Sequence, residues 1–102
     1  MIVVQGVFRV READREQYLT ESAETQRISR AEPGCLEYVL AADPLDAERV
    51  VLSERWSSRA ELDAHVEALV ARRAAAAAEG ATPVAPLSRE IAFFEASPID
   101  VM

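Results

Sequence analysis

Three side chains in this sequence could together move a proton in a dry pocket: Glu54, Trp56 and His65. Side chains alternate along a strand, so Val50, Leu52, Glu54 and Trp56 share one face of the segment that holds them. An acid between Leu52 and Trp56 on an inward face needs a reason, because an unpaired buried carboxylate is costly. Two readings stand. Glu54 pairs with an Arg, either Arg55 or Arg89 of a second copy. Otherwise it is a pocket carboxylate that binds a hydroxyl or moves a proton, and a partly dry pocket would raise its pKa toward useful values. Trp56, the only Trp, reads either as a core residue or as the aromatic wall of a ligand site, since it joins large apolar area to one N–H donor. His65 falls on the apolar side of a helix, between Leu62 and Leu69. It is either a satisfied structural histidine or, if it points at the sheet near Trp56, the natural base.

Tyr18, Ser22, Thr25 and Ser29 recur at helical spacing and put hydroxyls along one stripe. That stripe either faces water or lines a cavity between helix and sheet. Cys35 has no neighbouring base and reads as a buried, inert thiol. Arg72 and Arg73, followed by Ala74 to Ala78, read as a solvated helix end near the negative pole of the dipole, not as an anion site.

These residues depend on the elements that carry them. Ile2 to Arg11 is rich in Val and Phe and reads as a strand, with Ile2, Val4, Gly6, Phe8 and Val10 on one face. Glu12 to Glu32 has good helix formers and no Gly or Pro until Pro33-Gly34 stops it. Cys35 to Ala42 is a second strand and Glu48 to Trp56 a third. Asp43-Pro44-Leu45-Asp46 supplies turn chemistry between them, so the two form a hairpin. Ser58-Arg59-Ala60-Glu61 has capping-box spacing and opens a second helix that runs to about Glu79, where Gly80 ends it. Its expected apolar stripe is Leu62, Val66, Leu69 and Val70. Ser88 to Ala96 is the last strand.

The order β-α-β-β-α-β predicts an α+β, ferredoxin-like fold, with two helices on one face of a four-stranded antiparallel sheet. Several strands are apolar on both parities, as with Val3 and Val7 against Val4 and Phe8. The uncovered face therefore calls for a partner, most simply a second copy of the chain.

Composition narrows the function. A length of 102 residues predicts a single domain spanning 1–102. The formal charge is −7, which disfavours nucleic acid as a partner. All 11 basic residues are Arg, so Schiff-base and P-loop lysine chemistry are excluded. One Cys and one His cannot build a typical structural zinc site. No apolar run is long enough to span a membrane and no signal peptide is visible, so a cytoplasmic location is expected.

Two stretches carry a family likeness. One is Arg30-Ala31-Glu32-Pro33-Gly34-Cys35-Leu36-Glu37-Tyr38. The other runs from Leu52-Ser53-Glu54-Arg55-Trp56 to His65, with the His nine residues after the Trp. With the opening strand they resemble the antibiotic biosynthesis monooxygenase domain family of the dimeric α+β barrel superfamily. The resemblance implies a homodimer with a small-molecule pocket in each subunit. Members of known activity include quinol or anthrone oxygenases that use O₂ with no cofactor, neither metal nor flavin, and others act on haem or on a phosphorylated autoinducer.

Trp56 matches the pocket Trp of the anthrone oxygenases, but their Asn four residues earlier is Leu52 here, and their Tyr six residues later is Leu62. The haem-degrading members need an Asn on the first strand and a His late in the second helix. This chain has no Asn, and its late helix reads Arg72-Arg73-Ala74; the lack of an axial ligand argues against haem degradation.

The expected activity is therefore monooxygenation of a phenolic or quinol-type aromatic. His65, Glu54 and Trp56 form the catalytic set, and Tyr18, Ser22, Leu52, Leu62 and Leu69 bind substrate. A non-catalytic small-molecule-binding dimer, or an isomerase of a small keto compound, would fit the same residues.

Overall fold

A computed structural model describes residues 1–102. Strand β1 (Ile2–Arg9) leads through a 3₁₀ turn at Glu12–Asp14 into helix α1 (Arg15–Arg30). Strands β2 (Cys35–Asp43) and β3 (Asp46–Trp56) follow, then helix α2 (Arg59–Ala78) and strand β4 (Ser88–Glu95). The four strands form one antiparallel sheet in the order β2-β3-β1-β4, and β2 and β3 are the expected hairpin. The β-α-β-β-α-β prediction is met. The first helix is shorter than expected, because Glu12–Asp14 winds as a separate 3₁₀ turn before α1 begins.

The even-numbered residues of β1 and β3 face the helices and make the core. Val10, Val50 and Trp56 are fully buried, and Val4, Leu52 and Leu62 nearly so. Each such side chain contributes about 1.5–3 kcal/mol by leaving water. Gly6 keeps the sheet tight where β1 passes between β3 and β4, since a Cβ there would stand 3.3 Å from the Ile91 side chain.

Helix α1 also closes an open sheet edge. An edge strand exposes unpaired N–H and C=O groups. Gln26 answers both at once: its Nε2 donates to the Leu40 carbonyl at 3.1 Å, and its Oε1 accepts from the Leu40 N–H at 3.3 Å. One turn on, Arg30 Nε donates to the Tyr38 carbonyl at 2.7 Å. These bonds fix α1 over β2 and so set the position of its hydroxyl stripe.

Helix α2 starts as its sequence requires. Ser58 accepts from the Glu61 N–H at 3.3 Å. The reciprocal half of the capping box is replaced, because Glu61 turns to the Ser57 hydroxyl instead. Gly80, at φ +89°, ends the helix. The inward stripe of α2 is Leu62, His65 and Leu69, while Val66 and Val70 are largely exposed. The expected stripe is thus corrected at Val66 and Val70, while His65 lies inward on the apolar side where the sequence put it.

The sheet face away from the helices carries Val3, Val7, Val39 and Val51, together with an Arg55–Glu37 ion pair at 3.1 Å. Nothing in this chain covers it. No helix is long and apolar enough to cross a membrane.

Candidate functional site

Register brings the acid and the aromatics together. Glu54 of β3 lies opposite Tyr38 of β2 on one side and Val4 of β1 on the other. Trp56, two residues on, points the same way, and its Nε1 donates to Glu54 Oε1 at 2.9 Å. Helix α2 lays His65 on this surface. The imidazole stands 4.6 Å from the Trp56 ring and 5.4 Å from the Tyr38 ring, centroid to centroid. His65 is 3% exposed and Glu54 5%.

The other nitrogen of His65 is held by a residue from a different part of the chain. Glu32 Oε1 lies 2.6 Å from His65 Nδ1. Glu32 leaves the end of α1 in a tight turn, where the Cys35 N–H donates to the Glu32 carbonyl at 3.2 Å. Gly34 permits this turn with φ +77°. A Cβ at Gly34 would also run into the Glu61 carboxylate at the start of α2. The Glu32-Pro33-Gly34-Cys35 turn therefore delivers a carboxylate to the imidazole.

The result is a buried array of carboxylate, imidazole and carboxylate. A proton on Nδ1 serves Glu32, which leaves Nε2 as the basic nitrogen, 3.9 Å from Glu54 Oε1. Burial pushes the Glu54 carboxyl above its ordinary range; the Trp56 N–H and the His65 charge oppose that shift. Burial and the Glu54 charge push the Tyr38 phenol up to about 12. The Cys35 thiol is raised mainly by burial, which keeps it protonated. No Arg reaches Glu54: Arg55 lies on the opposite face with Glu37. Within the chain, Trp56 and His65 face the carboxylate in place of Arg55.

Beside this array lies a cavity of about 380 Å³ between the sheet, α1 and the loop 83–86. Phe8, Tyr38, Leu40 and Leu52 form its floor. Tyr18, Ser22 and Thr25 form the α1 wall, so the hydroxyl stripe lines a cavity. Ser29, at the end of that stripe, is fully buried beside the Tyr38 phenol, and its Oγ makes no hydrogen bond of normal geometry. The loop is tied to α1 by the Val84 N–H, which donates to Glu21 Oε2 at 3.1 Å.

The cavity admits only some of the residues expected to touch substrate. Tyr18, Ser22 and Leu52 line it; Leu62 and Leu69 do not. Leu62 is 2% exposed in the core and Leu69 is half-buried on α2, because the inward face of that helix is aimed at β3 and not at α1. Trp56 is likewise a core residue and forms no cavity wall. Glu54 and His65 stand behind the floor, with Tyr38 shared between the cavity and the array. Glu32, Tyr38 and Arg73 are functional candidates to which the sequence reading gave no role. An acid directly before a helix-ending Pro-Gly was the available signal for Glu32.

Residues 1–77 match the model of the antibiotic biosynthesis monooxygenase family. The chain belongs to this family. Antibiotic biosynthesis monooxygenase domains generally bind small molecules and form dimeric α+β barrels. Two relatives are similar over about two thirds of the chain. "Uncharacterized protein sll1783" of Synechocystis is 33% identical over 66 residues, which is 65% of this chain and 45% of that protein. The chain thus matches less than half the length of that relative. "Putative monooxygenase YcnE" of Bacillus subtilis is 33% identical over 67 residues, covering 66% of this chain and 70% of that one.

Among solved structures, an antibiotic biosynthesis monooxygenase-type protein of Deinococcus radiodurans superposes with a TM-score of 0.75 at 21% identity, over 100% of this chain and 99% of the other. The haem degrader MhuD of Mycobacterium tuberculosis superposes with a TM-score of 0.75 at 22% identity over the full length of both chains. These two likenesses are ones of fold. The only His of the present chain is sealed in the core with Nδ1 engaged by Glu32, so it offers no axial ligand to the cavity.

Proposed function

We propose that the chain is a small monooxygenase that oxidises a phenolic or quinol-type aromatic with O₂, drawing every electron from the substrate itself. The observation that carries this reading is the Glu32–His65–Glu54 array behind the floor of a ring-sized cavity. Phe8 and Tyr18, with ring centroids 6.4 Å apart, offer aromatic surface to a bound ring.

For a phenol with a free para position, the products are a para-quinone and water. One oxygen atom enters the ring as the new carbonyl, and the other leaves in water. The hydrogens of that water come from the phenol O–H and the ring C–H. The base first takes the phenolic proton, and the electron-rich phenolate gives electrons to O₂ to form a ring C–O bond. The stored proton returns to the resulting peroxide. The base then takes the para C–H proton while the O–O bond breaks, and the departing hydroxide recovers that proton as water. The substrate supplies all four electrons that O₂ accepts. The chain has to supply orientation, dryness and a base that is loaded and unloaded twice.

His65 fills the role of base, with Glu32 holding its tautomer. Glu54 is a second proton site, held by the Trp56 N–H. Tyr38, which lines the cavity and packs 5.4 Å from the imidazole ring, is the side chain that stands between the bound ring and the base. A homodimer, formed by the uncovered sheet faces, completes the reading.

Oxygen uptake by the purified protein against a panel of phenols, quinols and anthrones tests this. Wild-type protein should consume O₂ with at least one of them, and His65→Ala and Glu54→Gln should be slower while still folded. Equal rates in both variants contradict the mechanism.

One observation favours a second reading. Glu54, His65 and Trp56 do not line the cavity, as expected for a binding module with a structural polar core. That reading requires saturable binding of a phenol with no oxygen uptake.

A further inference from the structure

Charge is unevenly used in this molecule. The chain carries a formal charge of −7, yet the cavity is lined by two arginines and one acid: Arg73, Arg89 and Glu21. Glu21 is occupied, because its Oε1 accepts from Gln17 Nε2 at 2.9 Å and its Oε2 from the Val84 N–H. Arg73 and Arg89 make neither an ion pair nor a hydrogen bond within the chain, whereas Arg9, Arg27, Arg49, Arg55 and Arg59 are each matched to an acid within 3.1 Å. Arg73 projects from α2 and Arg89 from β4, on the helix face opposite Phe8. Burial raises the Tyr18 and Tyr38 phenols, and the nearby charges of Arg73 and Arg89 on Tyr18, and of Arg73 on Tyr38, oppose that rise. Next to Arg73, Arg72 has an Nη2 atom sealed from solvent with no partner. A surplus of guanidinium at the rim of an apolar, aromatic-floored cavity suits an anionic group on a flat ligand, since a guanidinium fork matches a carboxylate in shape and charge.

We propose that the cavity selects an aromatic ring bearing a carboxylate, with the ring on Phe8 and Tyr18 and the carboxylate between Arg73 and Arg89. This rests on the reading of the cavity as the substrate site and narrows its substrate class. It departs from the sequence-based view of the Arg72-Arg73 helix end only in giving Arg73 an anion to bind: Arg73 is exposed, as a solvated helix end requires, and also lines the cavity.

Titration calorimetry on the full-length protein tests the assignment, using 1-hydroxy-2-naphthoate and its neutral counterpart 1-naphthol. The carboxylate should bind at least about tenfold more tightly, and added salt should weaken that preference. Arg73→Gln and Arg89→Gln are exposed changes that leave the core intact. Each should remove most of the preference while 1-naphthol binding stays the same. Equal affinity for both probes, or a preference that survives both substitutions, overturns the carboxylate assignment and leaves the cavity as a ligand site. Failure of both probes to bind overturns the assignment together with the cavity reading. Carboxylate-selective binding with no oxygen uptake supports the assignment and removes the oxygenase reading alone.

Discussion

Glu32 and His65 lie 33 positions apart in the chain, and their side chains meet at 2.6 Å. The contact joins the end of α1 to the middle of α2 and commits Nδ1, so any proton chemistry of the imidazole runs through Nε2. Glu32→Gln keeps a hydrogen-bonding side chain but removes the charge. We expect kcat to fall by about tenfold or more, with substrate affinity little changed. A purely structural contact would move stability and leave kcat in place.

The Trp56 N–H is the hydrogen bond that holds Glu54. Trp56→Phe keeps an aromatic ring and deletes the donor, leaving a buried carboxylate short of a partner. The expected loss of stability in chemical denaturation is about 1–3 kcal/mol. Combining it with Glu54→Leu should recover part of that loss, because the orphaned acceptor is gone. An additive double variant would show that the bond carries no coupling.

Glu54 also sets a pH dependence. Burial raises its folded pKa above the ordinary value of 4.5. Between 4.5 and the raised value, the folded protein keeps a proton that the unfolded chain has released. Stability from this group is therefore present below that window and is lost as pH rises through it. Glu54→Gln should gain in melting temperature relative to wild type on going from about pH 5 to about pH 7. A constant difference between the two proteins would contradict the assignment. Asp43 and Asp46 act oppositely: hydrogen bonds and Arg partners lower their pKa below 3.8, so their contribution is lost only as pH falls through still more acid values.

The chain has only two tyrosines, both with raised phenol pKa values, and burial is the first cause for each. Phenolate absorbance in the folded protein should therefore lag behind that of the unfolded chain. In Tyr18→Phe the remaining transition belongs to Tyr38 and should centre at about 12. A transition at the free-tyrosine value of 10.0 would place Tyr38 in water.

Much of this fold was legible because local signals agreed with one another. Alternating Val and Phe marked β1, Pro33-Gly34 marked the end of α1, and Ser58 and Gly80 bracketed α2. The hydroxyl stripe of α1 was visible as spacing, and its cavity followed from Gln26 clamping the helix over β2. The phase of α2 was not legible. It is rich in Ala, so its apolar stripe hardly distinguishes a face built on Val66 and Val70 from one built on Leu62 and His65. That ambiguity hid the exposure of Val66 and Val70 and the place of Arg73 in the cavity lining, whereas His65 between Leu62 and Leu69 was on the correct side. The Glu32 contact was hidden for another reason: it is long-range and depends on a positive-φ turn at Gly34 to bring the two helices into register.

Labelled oxygen follows the oxygen transfer itself. With isotopically heavy O₂, chelator-treated protein and a turned-over phenol, the quinone should gain one labelled atom and water the other. No hydrogen peroxide should appear, and the rate should fall in His65→Gln. Absence of label from the product, or an unchanged rate in His65→Gln, would contradict the account.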